Sequence, residues 1–70
     1  MKVVDALAIN MKHGRKRACG ISQAELAESC GLCHGTITAI ETKRRWPTAD
    51  SLQRIAVALD LEVYELFYTD

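Results

Sequence analysis

Apolar residues in the first part of the chain recur at the spacing of a helix with one apolar face. The positions that follow the i, i+3, i+4, i+7 pattern are Val4, Leu7, Ala8 and Met11. The stripe continues through Arg15 to Ala18 and stops at Gly20, with Gly14 as a weak point inside it. The pattern predicts a first helix that ends shortly before Gly20.

A capping signal marks the start of a second helix. Ser22 followed by Glu25 is a capping box, in which each side chain accepts a hydrogen bond from a backbone N–H that the helix leaves free. The apolar residues that follow are Leu26, Ala27 and Cys30. Gly31 then favours the left-handed backbone of a turn, so we expect the helix to end there.

The rest of the chain continues the helical pattern. A third helix from about Cys33 directs Ile37 and Ile40 inward, and a fourth follows Pro47-Thr48. The apolar positions of the fourth are Leu52, Ile55, Ala56 and Leu59, and a last apolar turn covers residues 63–67. Strand-like alternation is absent. We predict an all-α fold, a compact bundle of about five short helices in a single domain over residues 1–70.

Composition and charge restrict the functional classes. The chain is 49% hydrophobic and 26% charged, which is typical of a folded domain, but 70 residues bury only a small core that a partner subunit would stabilise. The formal net charge is zero, yet residues 1–49 carry +4 and residues 50–70 carry −4. Such a chain can present a basic side to a polyanion and turn an acidic side away from it.

The sequence also predicts a location. No apolar run approaches the length of a membrane span, and the N-terminal segment, interrupted by Asp5 and Asn10, does not resemble an export signal. We therefore expect a cytoplasmic protein without a membrane partner. Three cysteines, an odd number, argue against a disulfide framework in that reducing compartment.

The stretch CGLCH, residues 30–34, has the spacing that attaches haem in c-type cytochromes. The residues between its cysteines are needed for the turn, so we favour structural roles: Cys30 buried, Cys33 a weak helix cap, and Cys19 beside a turn. A redox or metal switch using Cys30, Cys33 and either His34 or Cys19 is the alternative, although two cysteines supply only two of four ligands. We expect no cofactor and no metal.

From Ser22 onward the chain closely resembles the lambda-repressor-like (Cro/XRE-type) family of helix-turn-helix DNA-binding domains. The resemblance covers about two thirds of the chain. The matching residues are Ser22-Gln23, Glu25-Leu26-Ala27, Gly31, Ile37, Ile40-Glu41, Pro47, Leu52, Ile55-Ala56, Leu59 and Leu66-Phe67. Lys43 stands where the family usually has Gly, and Cys33 where it usually has a capping Ser or Thr. The resemblance implies a DNA-binding transcriptional regulator of the repressor type.

The resemblance also implies a recognition helix, residues 33–42, in the DNA major groove. With Ile37 inward and about 100° per residue, the helical wheel shows which side chains face outward. The predicted base-reading residues are His34, Gly35, Thr38, Ala39 and Thr42. Two of these are small and apolar, so we expect few direct base contacts and a large share of specificity from DNA shape.

Phosphate contacts have clearer candidates, because affinity needs only well-placed cations and N–H donors. Lys43, Arg44 and Arg45 follow the recognition helix directly. Gln23 matches a family position that contacts phosphate, and we include Thr36 of the recognition helix. The alternative for the basic run is an ordinary solvated turn.

A structural ion pair is predicted between Arg15 and Glu41. Glu41 lies about 40° from Ile37 on the wheel and so faces inward, where a carboxylate needs a partner. Arg15 falls within the apolar stripe of the first helix, and the resemblance implies that the two residues pair, with Lys16 as the alternative partner.

The C-terminal end is the predicted dimer contact. It has more apolar surface than one short turn can bury: Leu61, Val63, Tyr64, Phe67 and Tyr68. The resemblance implies a homodimer on a pseudo-palindromic operator, with recognition helices about one DNA turn apart. Trp46 is expected to cover the loop at the edge of the core, with stacking under Arg44 or Arg45 as the alternative.

No arrangement of residues typical of an enzyme is present: there is no Ser/His/Asp set, phosphate-binding glycine loop or inward carboxylate pair. We therefore expect a non-enzyme. A protein-interaction module of the same fold stays an alternative because Gly35 and Ala39 offer little to bases. A protein partner such as a toxin or another regulator is left open.

Overall fold

The computed structural model describes residues 2–68. The helices are α1 Val3–Arg17, α2 Gln23–Cys30, α3 His34–Glu41 and α4 Ala49–Ala58, followed by a 3₁₀ helix, Val63–Phe67. Within the described residues there is no strand, so the predicted all-helical architecture is confirmed. The expectation of about five helices was slightly high. The last apolar turn is a 3₁₀ helix of only five residues. The Glu65 amide donates to the Glu62 carbonyl, three residues earlier, at 3.0 Å, which is the hydrogen-bond spacing of a 3₁₀ helix.

The ends of α2 follow the local chemistry of the sequence. Ser22 Oγ accepts from the Glu25 amide at 3.0 Å, and Glu25 Oε1 accepts from the Ser22 amide at 2.9 Å. At the other end Gly31 has φ of 71°, and the Leu32 amide donates to the Ala27 carbonyl at 2.9 Å. Both ends of α2 are thus satisfied without distorting the helix.

The recognition helix α3 is shorter than the predicted range 33–42, because Cys33 and Thr42 are its capping residues. The Cys33 side chain makes no capping hydrogen bond, as expected for a thiol at that position. Helix α1 likewise ends at Arg17, with Ala18 as its cap, one residue before the predicted end of the stripe.

The core lies between the four α-helices and the 3₁₀ helix. Helix α2 packs against α3 and α4, whereas α1 packs against α3 and the 3₁₀ helix. The large apolar side chains that are at most 1% exposed are Leu7, Met11, Leu26, Ile37, Ile40, Ile55 and Leu66. Every element supplies at least one of them, so the domain has one shared core and α3 is held from behind by its neighbours.

Gly14 is a close-packing position in α1. A Cβ atom at Gly14 would lie 2.9 Å from Leu59 Cδ1 and 3.5 Å from Leu59 Cγ. A residue with a Cβ at this position therefore fits only if the Leu59 side chain shifts. The weak point in the helical pattern coincides with a close contact between α1 and Leu59.

The C-terminal segment is tied back to α1. The Asn10 amide Nδ2 donates to the carbonyls of Leu66 and Tyr68, both at 2.9 Å. These two bonds fix the 3₁₀ helix and the residue after it against the first helix. Across residues 2–68, none of the helices combines the length and apolar character needed to cross a bilayer.

Candidate nucleic-acid interface

The outer face of α3 is open to solvent at its ends and partly covered in its middle. His34, Gly35 and Thr42 are exposed, whereas Thr38 and Ala39 are partly buried. A Cβ atom added at Gly35 would meet nothing within 4 Å, so the surface at that position is open. All five predicted base-reading residues thus lie outside the core, on a helix whose other face is packed.

A buried ion pair holds α3 against α1. Arg15 Nε donates to Glu41 Oε2 and Arg15 Nη2 to Glu41 Oε1, both at 2.8 Å. Arg15 Nη1 also donates to the Ile21 carbonyl at 3.0 Å. The Glu41 residue is 1% exposed, and the Arg15 side chain is 19% exposed. The predicted pair is therefore a bidentate contact that fixes the C-terminal end of α3.

Gln23 extends this contact into a hydrogen-bonded chain that the sequence did not reveal. Gln23 Nε2 donates to Glu41 Oε1 at 3.1 Å, while the Thr38 hydroxyl donates to Gln23 Oε1 at 2.8 Å. The amide predicted to contact phosphate is thus already engaged on both of its polar atoms. Through it, the first residue of α2 connects the predicted base-reading face of α3 to the ion pair.

The turn after α3 has a left-handed residue that is not glycine. Lys43 has φ of 66°, its amide donates to the Ile40 carbonyl at 3.1 Å, and the Arg44 amide donates to the Ala39 carbonyl at 2.8 Å. This is the Schellman ending of a helix, which favours Gly at the left-handed position. The departure from the family pattern at Lys43 leaves the turn geometry intact.

Lys43 already has a carboxylate partner. Its Nζ lies 2.8 Å from Asp5 Oδ1 in the first turn of α1. The pKa of Asp5 lies below its ordinary value, chiefly because Lys43 donates a hydrogen bond to the carboxylate. Since both side chains remain partly exposed, Lys43 is accessible to a phosphate only in competition with Asp5.

Arg44 and Arg45 are exposed and lie next to the recognition face. Arg45 Nη1 donates to the Thr36 hydroxyl at 3.3 Å, which brings together two of the residues predicted to contact phosphate. The hydroxyl hydrogen of Thr36 stays available to an anion, because Thr36 acts as the acceptor in this bond.

The comparisons with known proteins agree with this geometry. A family model described as helix-turn-helix matches residues 11–66, which include α2, α3 and the turn between them. The chain belongs to the lambda-repressor-like (Cro/C1-type) helix-turn-helix family. Membership of this family supports a DNA-binding role in transcription regulation.

The curated protein and the solved structure that match this helix-turn-helix domain both come from Neisseria. A "Neisseria hypothetical transcription factor" from Neisseria meningitidis serogroup B (strain ATCC BAA-335 / MC58) is 38% identical over 60 residues, which are 86% of this chain. The match covers 56% of that protein, so the chain spans little more than half the length of this relative. The crystal structure of a hypothetical transcription factor from Neisseria superposes with a TM-score of 0.90 at 34% identity, covering 96% of this chain and 76% of that one.

The cysteines of this helix-turn-helix domain occupy different environments. Cys30 is buried, its thiol donates to the Ala27 carbonyl at 3.7 Å, and burial raises the pKa of the thiol. Cys33 and Cys19 are exposed, and Cys19 has φ of 65° in the turn after α1. In residues 2–68 no three His, Cys, Asp or Glu side chains are grouped as a metal site requires.

The predicted dimer contact divides into two groups. Leu61, Val63 and Phe67 are partly buried and pack against the core, so their apolar surface is largely used within the chain. Tyr64 and Tyr68 are 70% and 65% exposed. Leu61 before the 3₁₀ helix and Val63 and Phe67 within it thus pack against the core, and Tyr64 and Tyr68 are the exposed members of the predicted contact.

Trp46 lies over Phe67. The two rings stack with centroids 5.9 Å apart, and Trp46 is 52% exposed. This contact joins the loop between α3 and α4 to the 3₁₀ helix. Trp46 was expected to cover that loop at the edge of the core. The partner of the indole ring is Phe67, which the sequence did not indicate because the two residues are distant in the chain.

Proposed function

We propose that this chain is a sequence-specific double-stranded DNA-binding regulator of the repressor type, with α3 in the major groove. One observation carries the proposal: an outward face of α3 is followed directly by the exposed Arg44 and Arg45. A helix in the groove with cations beside it is the arrangement by which helix-turn-helix proteins dock on duplex DNA. The family match and the relatives named as transcription factors support it.

The base-reading group is small. His34, Gly35 and Thr42 are exposed, and Thr38 and Ala39 are partly buried. The methyl groups of Ala39 and the threonines suit thymine methyl groups, and His34 can bond a base edge or a phosphate. We expect the remaining discrimination to come from the shape and deformability of the operator.

The phosphate-binding group has unequal members. Arg44 and Arg45 carry the largest share because their charges face solvent. Lys43 contributes less because of its contact with Asp5, and Thr36 and Gln23 contribute as N–H or O–H donors. The expected binding is therefore strongly dependent on salt.

A salt titration tests the proposal. Binding to a random duplex, followed by fluorescence anisotropy from low to moderate salt, should weaken linearly on a log–log scale. Arg44→Ala and Arg45→Ala should each reduce the slope by about one and weaken binding to all sequences alike. The matched control is Arg54→Ala, which removes the same charge from α4 where Asp50 already pairs with it at 2.9 Å. It should leave the slope closer to that of the wild type.

The opposite result defines the alternative function. If the wild type shows no salt-dependent binding to duplex DNA, the regulator proposal is wrong and a protein-interaction module of the same fold becomes the better explanation. If binding is salt-dependent but Arg44 and Arg45 behave like Arg54, the basic turn is not the phosphate contact.

We also propose that the regulator acts as a homodimer on a pseudo-palindromic operator. The domain measures 28 × 24 × 19 Å, which is shorter than the roughly 34 Å between successive major grooves on one DNA face. One copy therefore reaches one half-site, and the few base contacts of α3 favour two copies. The exposed rings of Tyr64 and Tyr68 are the proposed contact.

Sedimentation of the purified chain tests the dimer. Tyr64→Glu should shift the equilibrium toward monomer and weaken operator binding, because it places a charge in the proposed contact. The control is Val3→Glu, which adds the same charge at another exposed apolar residue, 57% exposed. A wild type that sediments as a monomer at high concentration and binds a single half-site tightly would exclude the dimer.

A further inference from the structure

The hydrogen-bonded chain behind α3 has a fixed direction. It begins with Arg15, which can only donate, and Glu41, whose carboxylate can only accept. Both oxygens of Glu41 accept from Arg15, at 2.8 Å. The next group, the Gln23 amide, therefore has to turn its NH₂ toward Glu41, as it does at 3.1 Å. The opposite orientation would place two acceptor oxygens against each other.

The amide orientation determines the state of Thr38. With the NH₂ of Gln23 facing Glu41, its Oε1 faces Thr38 and can only accept. The Thr38 hydroxyl must donate to it, and the 2.8 Å bond has this direction. A hydroxyl has one hydrogen, so this bond leaves Thr38 Oγ1 with lone pairs alone for any other partner. Rotating the hydroxyl away would leave the Gln23 carbonyl oxygen without its donor in a partly buried position.

We propose that Thr38 is an acceptor-only base reader that selects adenine or cytosine, the bases with an exocyclic amino group in the major groove, at one position of each half-site. This inference rests on the proposed function. Adenine N6 and cytosine N4 are the major-groove donors, whereas guanine and thymine present O6, N7 and O4 acceptors at their edges. A phosphate presents acceptors only, so Thr38 cannot bond the DNA backbone while it donates to Gln23.

The same polarity assigns a complementary role to Gln23. An amide NH₂ has two hydrogens, and Glu41 accepts one of them. The second remains available to a phosphate oxygen, in agreement with the role predicted for Gln23. The ion pair thus orients one donor toward the DNA backbone and one acceptor toward the bases.

The test begins with selection of bound sequences from a random duplex pool by the wild-type chain. In the selected site, each adenine is then replaced by purine and each cytosine by 2-pyrimidinone, which remove only the amino group. Affinities are measured by fluorescence anisotropy for the wild type, Thr38→Val and Thr38→Ser. At one position per half-site we expect the replacement to weaken wild-type and Thr38→Ser binding by about tenfold, and Thr38→Val binding by less than about twofold.

Two further variants test whether the base preference depends on the direction of the hydrogen bond between Thr38 and Gln23. Gln23→Met removes the acceptor, so the freed hydroxyl can donate, and selection with this variant should also admit guanine or thymine at that position. Ser29→Ala, which removes an exposed hydroxyl from α2, is the control, and it should retain the tenfold loss. Thermal unfolding of each variant establishes that it is folded.

The outcomes distinguish the two proposals. If the wild type enriches no sequence and binds no duplex, the proposed function fails and this inference with it. If a site is selected but amino removal affects wild type and Thr38→Val equally at every position, only the reader role of Thr38 is overturned. The reader role of Thr38 would also be overturned if the wild type prefers guanine or thymine at the position where Thr38→Val changes selectivity.

Discussion

Replacing Glu41 by Ala removes the acceptor at the centre of the domain's polar network. The carboxylate is 1% exposed and accepts three hydrogen bonds, two from Arg15 and one from Gln23. Breaking a buried ion pair by removing one partner costs about 3–5 kcal/mol, and the lower end applies because the Arg15 side chain is 19% exposed. We therefore expect a loss of about 3 kcal/mol from a domain whose total stability is roughly 4–10 kcal/mol.

Urea unfolding and thermal melting followed by circular dichroism measure this loss. A change of about 3 kcal/mol lowers the melting temperature of a domain of this size by about 12–24 °C. The control is Glu28→Ala, which removes an exposed glutamate from α2 and should change stability by less than about 0.5 kcal/mol. The double variant Arg15→Met with Glu41→Leu should recover much of the loss, because no buried charge is left unpaired.

The recovery in the double variant is the decisive part of the experiment. If Glu41→Ala lies within about 1 kcal/mol of wild type, the pair is screened by water and the network does not hold α3. If the double variant is as unstable as the single one, the unpaired Arg15 charge is not the source of the loss, and the charge argument is wrong.

Two further predictions concern contacts between distant parts of the chain. Lys43 keeps the pKa of Asp5 below its ordinary 3.8, so this pair stabilises the fold above that pH and the contribution disappears as pH falls through the lowered pKa. Asp5→Asn should therefore be less stable than wild type at neutral pH but converge with it in acid; parallel stability profiles would contradict this. Gly14→Ala should lower stability by about 1 kcal/mol, because crowding of Leu59 outweighs the gain in helix propensity. A higher melting temperature would show that Leu59 moves aside freely.

The helices and the inward position of Glu41 could be predicted from the sequence because both depend on local rules, whereas its pairing with Arg15 was also implied by the family resemblance. Apolar spacing determines which face of each helix is buried, and the same wheel places Glu41 inward. The capping box at Ser22 and the left-handed Gly31 are likewise local features. The helix-turn-helix assignment followed from residues within a single continuous segment, and the family match confirms it.

The contacts that the sequence did not reveal join residues far apart in the chain. The pair between Asp5 and Lys43 requires α1 to cross the end of α3 and Lys43 to adopt a left-handed backbone. The bond from Thr38 to Gln23 depends on the angle between α2 and α3. Of the residues in the predicted dimer contact, Leu61, Val63 and Phe67 pack against the core of the same chain. The spacing of apolar residues along one helix does not predict these distances, because each depends on how two helices pack together.

The open space at Gly35 makes the recognition helix easy to retarget. A Cβ there meets nothing within 4 Å, and a larger residue would raise helix propensity rather than disturb the core. Operator preference at this position can therefore drift without a compensating change elsewhere in the domain. By contrast, Thr38 is bound to Gln23 and through it to Glu41, so a substitution there also alters the polar network behind the helix. Within one helix, the domain combines a position that is independent of the packed interior with one that is tied to it.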